Sequence, residues 1–234
     1  MNTESEVGLS VIVPVGRGDS SWQALEAALA GLPADSEVLF SAAEPEPPAF
    51  ARYTGLLSVA AGWINGPAGR AAQINRGAAT AAGKWIWILH ADCRPTPQAI
   101  EQVNKRIRSD VPDLCYFDLA FAGDGPGLTR INAAGANLRS RLLGLPFGDQ
   151  GFLIHRAVFE RINGFDENLE LGEDLDFAVR ARAAGYQPRR QRGHVIASAR
   201  RYREHGWLAT TARHAGLTIV LWIQSRRRSR NHST

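Results

Sequence analysis

The run Trp85, Ile86, Trp87, Ile88 and Leu89, closed by His90, Ala91 and Asp92, constrains this chain most. Five apolar side chains in succession leave no polar face, so a strand made of them is covered on both sides. The stretch from Leu9 to Val15, rich in β-branched residues, reads the same way. Strands of this kind lie inside a sheet that has helices above and below it.

Helical and strand-like segments alternate around these two. Ser20 and Ser21 are N-cap candidates for a helix carrying Trp22, Leu25, Ala28 and Leu29, which Gly31 and Pro33 stop. Residues 37–41 form a second strand, and residues 50–56 carry a weaker helical pattern. Residues 57–59 read as a third strand and residues 62–69 as a Gly/Pro loop. An Ala-rich helix follows over residues 70–82, with Gly83 as its C′ residue. Pro95 and Pro97 open a helix to about Ile107. Strands are expected at residues 114–121, 151–154 and 194–198, and helices at 127–143, 157–162 and 173–184. The alternation predicts an α/β fold with a mostly parallel sheet, a single domain over residues 9–205. Residues 1–8 form a flexible start. Residues 206–225 form an apolar C-terminal helix, and residues 226–234 a basic disordered tail.

Composition removes several function classes. The formal charge of the 234 residues is +4, and Arg226, Arg227, Arg228 and Arg230 alone supply it, 4 − 4 leaving the rest neutral. A basic tail is not the basic folded face that a nucleic acid needs, so no nucleic acid is expected. The start lacks the basic and apolar regions of a signal peptide, and no apolar run reaches the roughly 20 residues of a spanning helix. The expected location is the cytoplasm, with peripheral contact at the inner membrane face through the C-terminal helix and Arg tail. Cys93 and Cys115 are then free thiols, and no pair has zinc-ligand spacing.

In parallel sheets, ligands sit at the carboxyl ends of strands. Polar groups fall there after Val15, after Ser41 and at His90 to Asp92. Asp92 suits a divalent ion bridging phosphates, or equally a cap of the next helix. Glu173, Asp174 and Asp176 crowd one helix start. Like charges so close raise at least one pKa, which suits a general base; capping explains one or two of the three. Gly148, Asp149, Gln150 and Gly151 form a polar turn that contacts an acceptor or is simply a two-glycine turn. Arg200 and Arg201 follow a strand and suit diphosphate oxygens or a surface salt bridge.

The order of these pieces carries more than any one of them. The Val-Ile-Val-Pro-Val strand ending at Val15 comes first, then Gly69, Arg70, Gln73 and Asn75, then His90 and Asp92. Gly148 to Gly151, Asn163 to Asp166, Gly172 to Asp174 and Ser198 to Arg201 follow. Over residues 9–205 the series resembles glycosyltransferase family 2, with the GT-A fold. It looks most like the small bacterial subfamily described as radical-SAM/selenodomain-associated, arsenosugar-biosynthesis-type transferases. The resemblance implies inverting transfer from a nucleoside-diphosphate sugar donor to an acceptor hydroxyl, assisted by Mg2+ or Mn2+. It implies Asp174 as the catalytic base with Glu173 beside it. Asp92, with His90, is implied at the metal. Arg70, Asn75, Asp92, Arg200 and Arg201 are implied at the donor, while Asp149 and Gln150 are the acceptor-side candidates. Two stretches differ from the family's pattern. Residues 40–44 hold no Asp to read the nucleotide base, which predicts weak discrimination among nucleoside diphosphates. Gly16 and Arg17 replace the usual Asn-Glu. Two alternatives stay open: a degenerate homologue that binds nucleotide or a partner without turnover, and a nucleotidyltransferase of related fold.

Overall fold

A computed structural model describes residues 7–109 and 111–205 of the chain. The expected C-terminal helix and tail lie outside the described residues. In chain order the elements are β1 (Leu9–Val15), a 3-10 turn (Ser21–Ala24), α1 (Glu26–Leu29), β2 (Ser36–Ala42), α2 (Ala49–Thr54), β3 (Ala60–Asn65), α3 (Arg70–Thr80) and β4 (Trp85–Ile88). Then come β5 (Cys93–Pro95), α4 (Pro97–Ile107), β6 (Leu114–Phe121), α5 (Thr129–Leu143), a 3-10 turn (Gly148–Gln150) and β7 (Phe152–His155). The last are α6 (Arg156–Arg161), α7 (Glu173–Ala183), β8 (Arg189–Ala197) and α8 (Arg200–His205).

The eight strands form one sheet in the order β3-β2-β1-β4-β7-β6-β8-β5. β1, β2, β3 and β4 are parallel. β7 runs antiparallel to both β4 and β6, β8 is parallel to β6, and β5 closes the edge antiparallel to β8. The apolar strands divide their side chains between two cores, as period-2 alternation requires. Val11, Val13, Trp85 and Trp87 face one core together with the rings of Trp22, Phe40, Phe50 and Tyr53. Ile12, Ile86 and Ile88 face the other, with Ile74, Phe152, Phe159 and Phe177.

Several expectations move. The third strand is Ala60–Asn65, not residues 57–59, and Gly62 lies inside it rather than in a loop. The last strand is Arg189–Ala197 rather than residues 194–198, because its arginines pair with acids instead of marking a loop. β5 was not anticipated. Ser20 makes no side-chain cap, and the first helix breaks into a 3-10 turn and the short α1. Gly83 is not a left-handed C′ residue. A Cβ there would strike the Ser10 backbone nitrogen, so Gly83 is needed for close approach of α3's exit to β1.

Candidate active site

Topology brings one edge of the sheet together. β1, β2 and β4 end there, being parallel and in register. β7 begins there, since Phe152 pairs with Ile88 across an antiparallel ladder. β8 ends beside Phe121 and opposite Cys93. His90 to Asp92, the turn Gly148–Gln150 and Ser198 therefore meet at one rim, although 108 residues separate His90 from Ser198 (198 − 90).

The loop after β4 is fixed from below. Arg94 donates to the carbonyls of Ala91 and Cys93, each at 3.0 Å, and to Ser21 O at 2.8 Å. His90, Asp92 and Cys93 can offer ligand atoms all within 4.8 Å of one another. Burial pushes the Cys93 thiol well up, with Asp92 and Asp149 adding to it. A cleft of about 510 Å³ opens at Asp92, lined also by Ser20, Ser21, Gln23, Arg94 and Asp124. Asp124 holds the far wall by accepting from Ser198 Oγ at 2.6 Å and from Ala199 N at 2.9 Å.

The acids at the start of α7 separate into three environments. Glu173 is buried and accepts from Arg70 Nη1 at 2.7 Å. Burial and the neighbouring Asp174 raise its pKa, against the pull of Arg70. Asp176 is buried and ion-paired one turn on with Arg180, at 2.7 Å. Asp174 is half-buried at the rim. Its Oδ2 accepts from Gly148 N at 2.8 Å and its Oδ1 from Leu175 N at 2.7 Å.

Asp149, next in the Gly148–Gln150 turn, is pushed up to about 6. Burial is the main cause, then the charge of Asp174, with Arg139 and Arg70 opposing and Asp92 adding. Asp149 thus feels Asp92, Asp174, Arg70 and Arg139 at once. Its Oδ1 is buried and accepts no hydrogen bond. Arg139, on α5, carries no sequence signal and was not singled out. Its guanidinium lies 3.6 Å over the Phe147 ring, its Nε donates to Leu145 O, and its Nη2 is buried without an acceptor.

Two of the expected contact residues point elsewhere. Asn75 donates to Phe165 O and to Glu167 Oε1, both at 2.8 Å, and accepts from Phe165 N at 2.9 Å. It clamps the turn at Gly164, whose φ of +60° places a would-be Cβ against Asn75 Oδ1. Gln150 is wholly buried. Its Oε1 accepts from Ser140 Oγ at 2.6 Å and from Phe147 N at 3.1 Å, and its Nε2 donates to Phe117 O at 3.2 Å. Gln73, one turn along α3 from Arg70, joins the ends of β1 and β2 by donating to Val15 O at 2.6 Å and Ser41 O at 2.8 Å. Arg200 and Arg201 open α8 at the rim's outer end. The two stretches that differ from the family pattern touch each other, since Gly18 N donates to Glu44 Oε2 at 3.0 Å.

Residues 65–162 match the family model described as Glycosyl transferase family 2. The mannosyltransferase PcManGT from Pyrobaculum calidifontis, in complex with GDP-Man and Mn2+, is similar to 94% of this chain. The match covers 64% of that chain, with a TM-score of 0.66 and 15% identity. S. aureus TarS 1–349 is similar to 81% of this chain over 60% of its own, with a TM-score of 0.62 and 15% identity. TarS 1–349 in complex with UDP-GlcNAc gives 17% identity at the same TM-score, over 58% of its chain. The chain thus spans about three-fifths of the length of these structures. At such identities the likeness is one of fold, the GT-A arrangement. No curated protein is significantly similar to it in sequence.

Proposed function

We propose that this chain transfers a sugar from a nucleoside-diphosphate sugar to an acceptor hydroxyl, with inversion at the sugar carbon. The observation that carries the reading is the single rim where Asp92, Asp149 and Asp174 share one electrostatic environment beside Arg70. The family-model match over residues 65–162 and the GT-A fold support it.

The donor diphosphate lies at Asp92 and His90 in this reading, with Arg70, Arg200 and Arg201 on its oxygens. The residues fit Mg2+ or Mn2+. The buried Cys93 thiol stays protonated, which leaves the Asp92 carboxylate and a His90 nitrogen. One carboxylate completed by phosphate oxygens is the sparse donor set that Mg2+ takes, and Mn2+ also accepts imidazole. When bound, the ion would neutralise charge on the departing diphosphate. Asp174 takes the acceptor's proton. Two backbone N–H groups fix the plane of its carboxylate, and lone pairs remain for the incoming hydroxyl. Glu173 positions Arg70 through their ion pair. Asp149 meets the acceptor directly, while Gln150 and Asn75 act only through the backbone they hold. The subfamily assignment rests on the motif order, with His90 where the family's first metal-site Asp usually stands.

Calorimetry with UDP and GDP, with and without Mn2+, tests the donor site. Mn2+ should tighten binding by about tenfold or more, and Asp92→Ala should abolish that gain. Equal affinity in both conditions, unchanged in the variant, rejects metal-assisted donor binding. Release of free nucleoside diphosphate from a nucleotide-sugar panel tests the transferase reading itself, and no release from any donor counts against it.

A further inference from the structure

Helix α5 carries a second surface, turned away from the rim. Its inner side, with Ala133 and Ser140 buried, packs on β6. On the outer side Leu128, Ile131, Leu138 and Leu142 are 49%, 60%, 56% and 72% exposed. Steps of three and four residues, with exposed Gly135 between Ile131 and Leu138, put them on one stripe along the helix. Large aliphatic side chains aligned in water on one helix mark an interaction site rather than scatter.

The shoulder of that stripe is cationic. Residues 129–143 contain no acid, and while Arg139 turns inward over Phe147, Arg130 and Arg141 remain exposed. At the end of α5 a cleft of about 360 Å³ opens, walled by Arg141, Leu142, Leu143, Arg182 and Arg190 among others. Arg141 and Arg190 both bond the buried Asp118, at 2.6 Å and 2.5 Å. Arg182 donates to Leu143 O and to Gln187 Oε1. Three guanidinium groups thus face one carboxylate. Each has five N–H donors, and the bonds named here engage no more than two on any of them. The cleft keeps a net positive charge, and each guanidinium keeps N–H groups beyond those bonds.

Charge selects the occupant. A second copy seated on the stripe would set one cationic shoulder against another. An anionic lipid surface supplies both what the leucines lack and what the arginines lack. We infer that α5 lies flat on an anionic membrane surface, its leucine stripe in the acyl boundary and lipid phosphates on Arg141, Arg182 and Arg190. The 15 residues of α5 give about 22 Å of contact along the surface. The inference does not depend on the transferase reading.

The test uses the full-length protein, sedimented with vesicles of phosphatidylcholine alone and of phosphatidylcholine mixed with phosphatidylglycerol. Binding should favour the anionic vesicles by about tenfold or more and weaken as salt is raised. Leu138→Ser combined with Leu142→Ser should lower it about tenfold, with melting temperature and nucleoside diphosphate affinity unchanged. Arg182→Gln should weaken binding to anionic vesicles only. Equal binding to both vesicles, or undiminished binding by the double variant, overturns the inference. So does light scattering that shows a dimer abolished by the double variant, which assigns the stripe to a second copy. Binding lost only on removing the residues after Ser225 overturns it in favour of the tail.

Discussion

The two halves of the sheet are held together by different chemistry. In the parallel half, the side-chain bonds that join the strands have at least one neutral partner: Gln73 spans β1 and β2, and the Ser10 hydroxyl accepts from Gly83 N and donates to Glu37 Oε1. In the mixed half, ion pairs join the elements as well. Asp113 lies between Arg106 and Arg189, and Asp118 between Arg141 and Arg190. The acids of α7 continue the pattern with Arg70 and Arg180. The Gln73 bonds involve no titratable group, so their strength ignores pH. The mixed half sets the charge state of the rim.

The largest expected break falls at Asp174. Asp174→Asn keeps the shape, and its single amide oxygen can accept from only one of Gly148 N and Leu175 N in the present arrangement. Turnover on the true acceptor should fall by roughly 10² to 10⁴, the usual share of a general base, with donor affinity nearly intact. Wild-type turnover would move the role to Asp149.

A paired measurement separates the halves directly. Asp118→Asn strips two guanidinium groups of their buried carboxylate. The cost should be roughly 2–3 kcal/mol, below the range for fully buried pairs because Arg141 and Arg190 are nearly half exposed to solvent. Burial alone would raise the Asp118 pKa, but its bonds to Arg190 and Arg141 outweigh it and the pKa is lowered. Its stabilisation is therefore present above the unfolded value of about 3.9 and lost as pH falls below it. Gln73→Leu in the parallel half should cost about 1–3 kcal/mol by removing the buried amide donor that Val15 O and Ser41 O share. Urea melts should show the Gln73 cost at every pH, and the Asp118 cost shrinking on the acid side. Parallel pH profiles for the two would erase the distinction.

The smallest effect, and the sharpest test of the rim, comes from Asp149→Asn. A carboxyl whose folded pKa is raised to about 6 stabilises the fold fully below the unfolded value and loses that contribution as pH rises through 6. The asparagine variant loses nothing over that window. Relative to wild type it should gain about 1–2 kcal/mol between pH 4 and pH 8, after discount for partial exposure. A flat difference across that window would mean that Asp149 ionises freely.

The parallel half was legible because its strands are apolar on both faces and closed by clear stops. Trp85 to Ile88 could be read as little else. β3 was misplaced because it is an edge strand with no buried residue and a glycine in its middle. β5 holds only Cys93, Arg94 and Pro95, too few for any period to show. In the mixed half, Arg189 to Arg192 carry no strand pattern of their own, since the partners of Arg189 and Arg190, Asp113 and Asp118, lie more than 70 residues away. The rim's acids were visible as clusters. Which of the site's amides are tied up was not, because that depends on whether Asn75 reaches Phe165 and Gln150 reaches Ser140. Spacing along the chain records neither.

One helix, α3, gathers much of this geometry, and that bears on the order of assembly during synthesis. Gln73 finds Val15 and Ser41 already made. Asn75 must wait for Phe165, 90 residues later, and Arg70 for Glu173, 103 residues later. At roughly 5–20 residues per second, that gap lasts on the order of 5–20 s. Through it, the nascent parallel half presents an unpaired guanidinium and amide at the place where the site will form. A truncated chain ending before residue 165 should therefore keep its first four strands' pattern of apolar burial yet leave the rim open, so the order of translation separates the making of the frame from the making of the site.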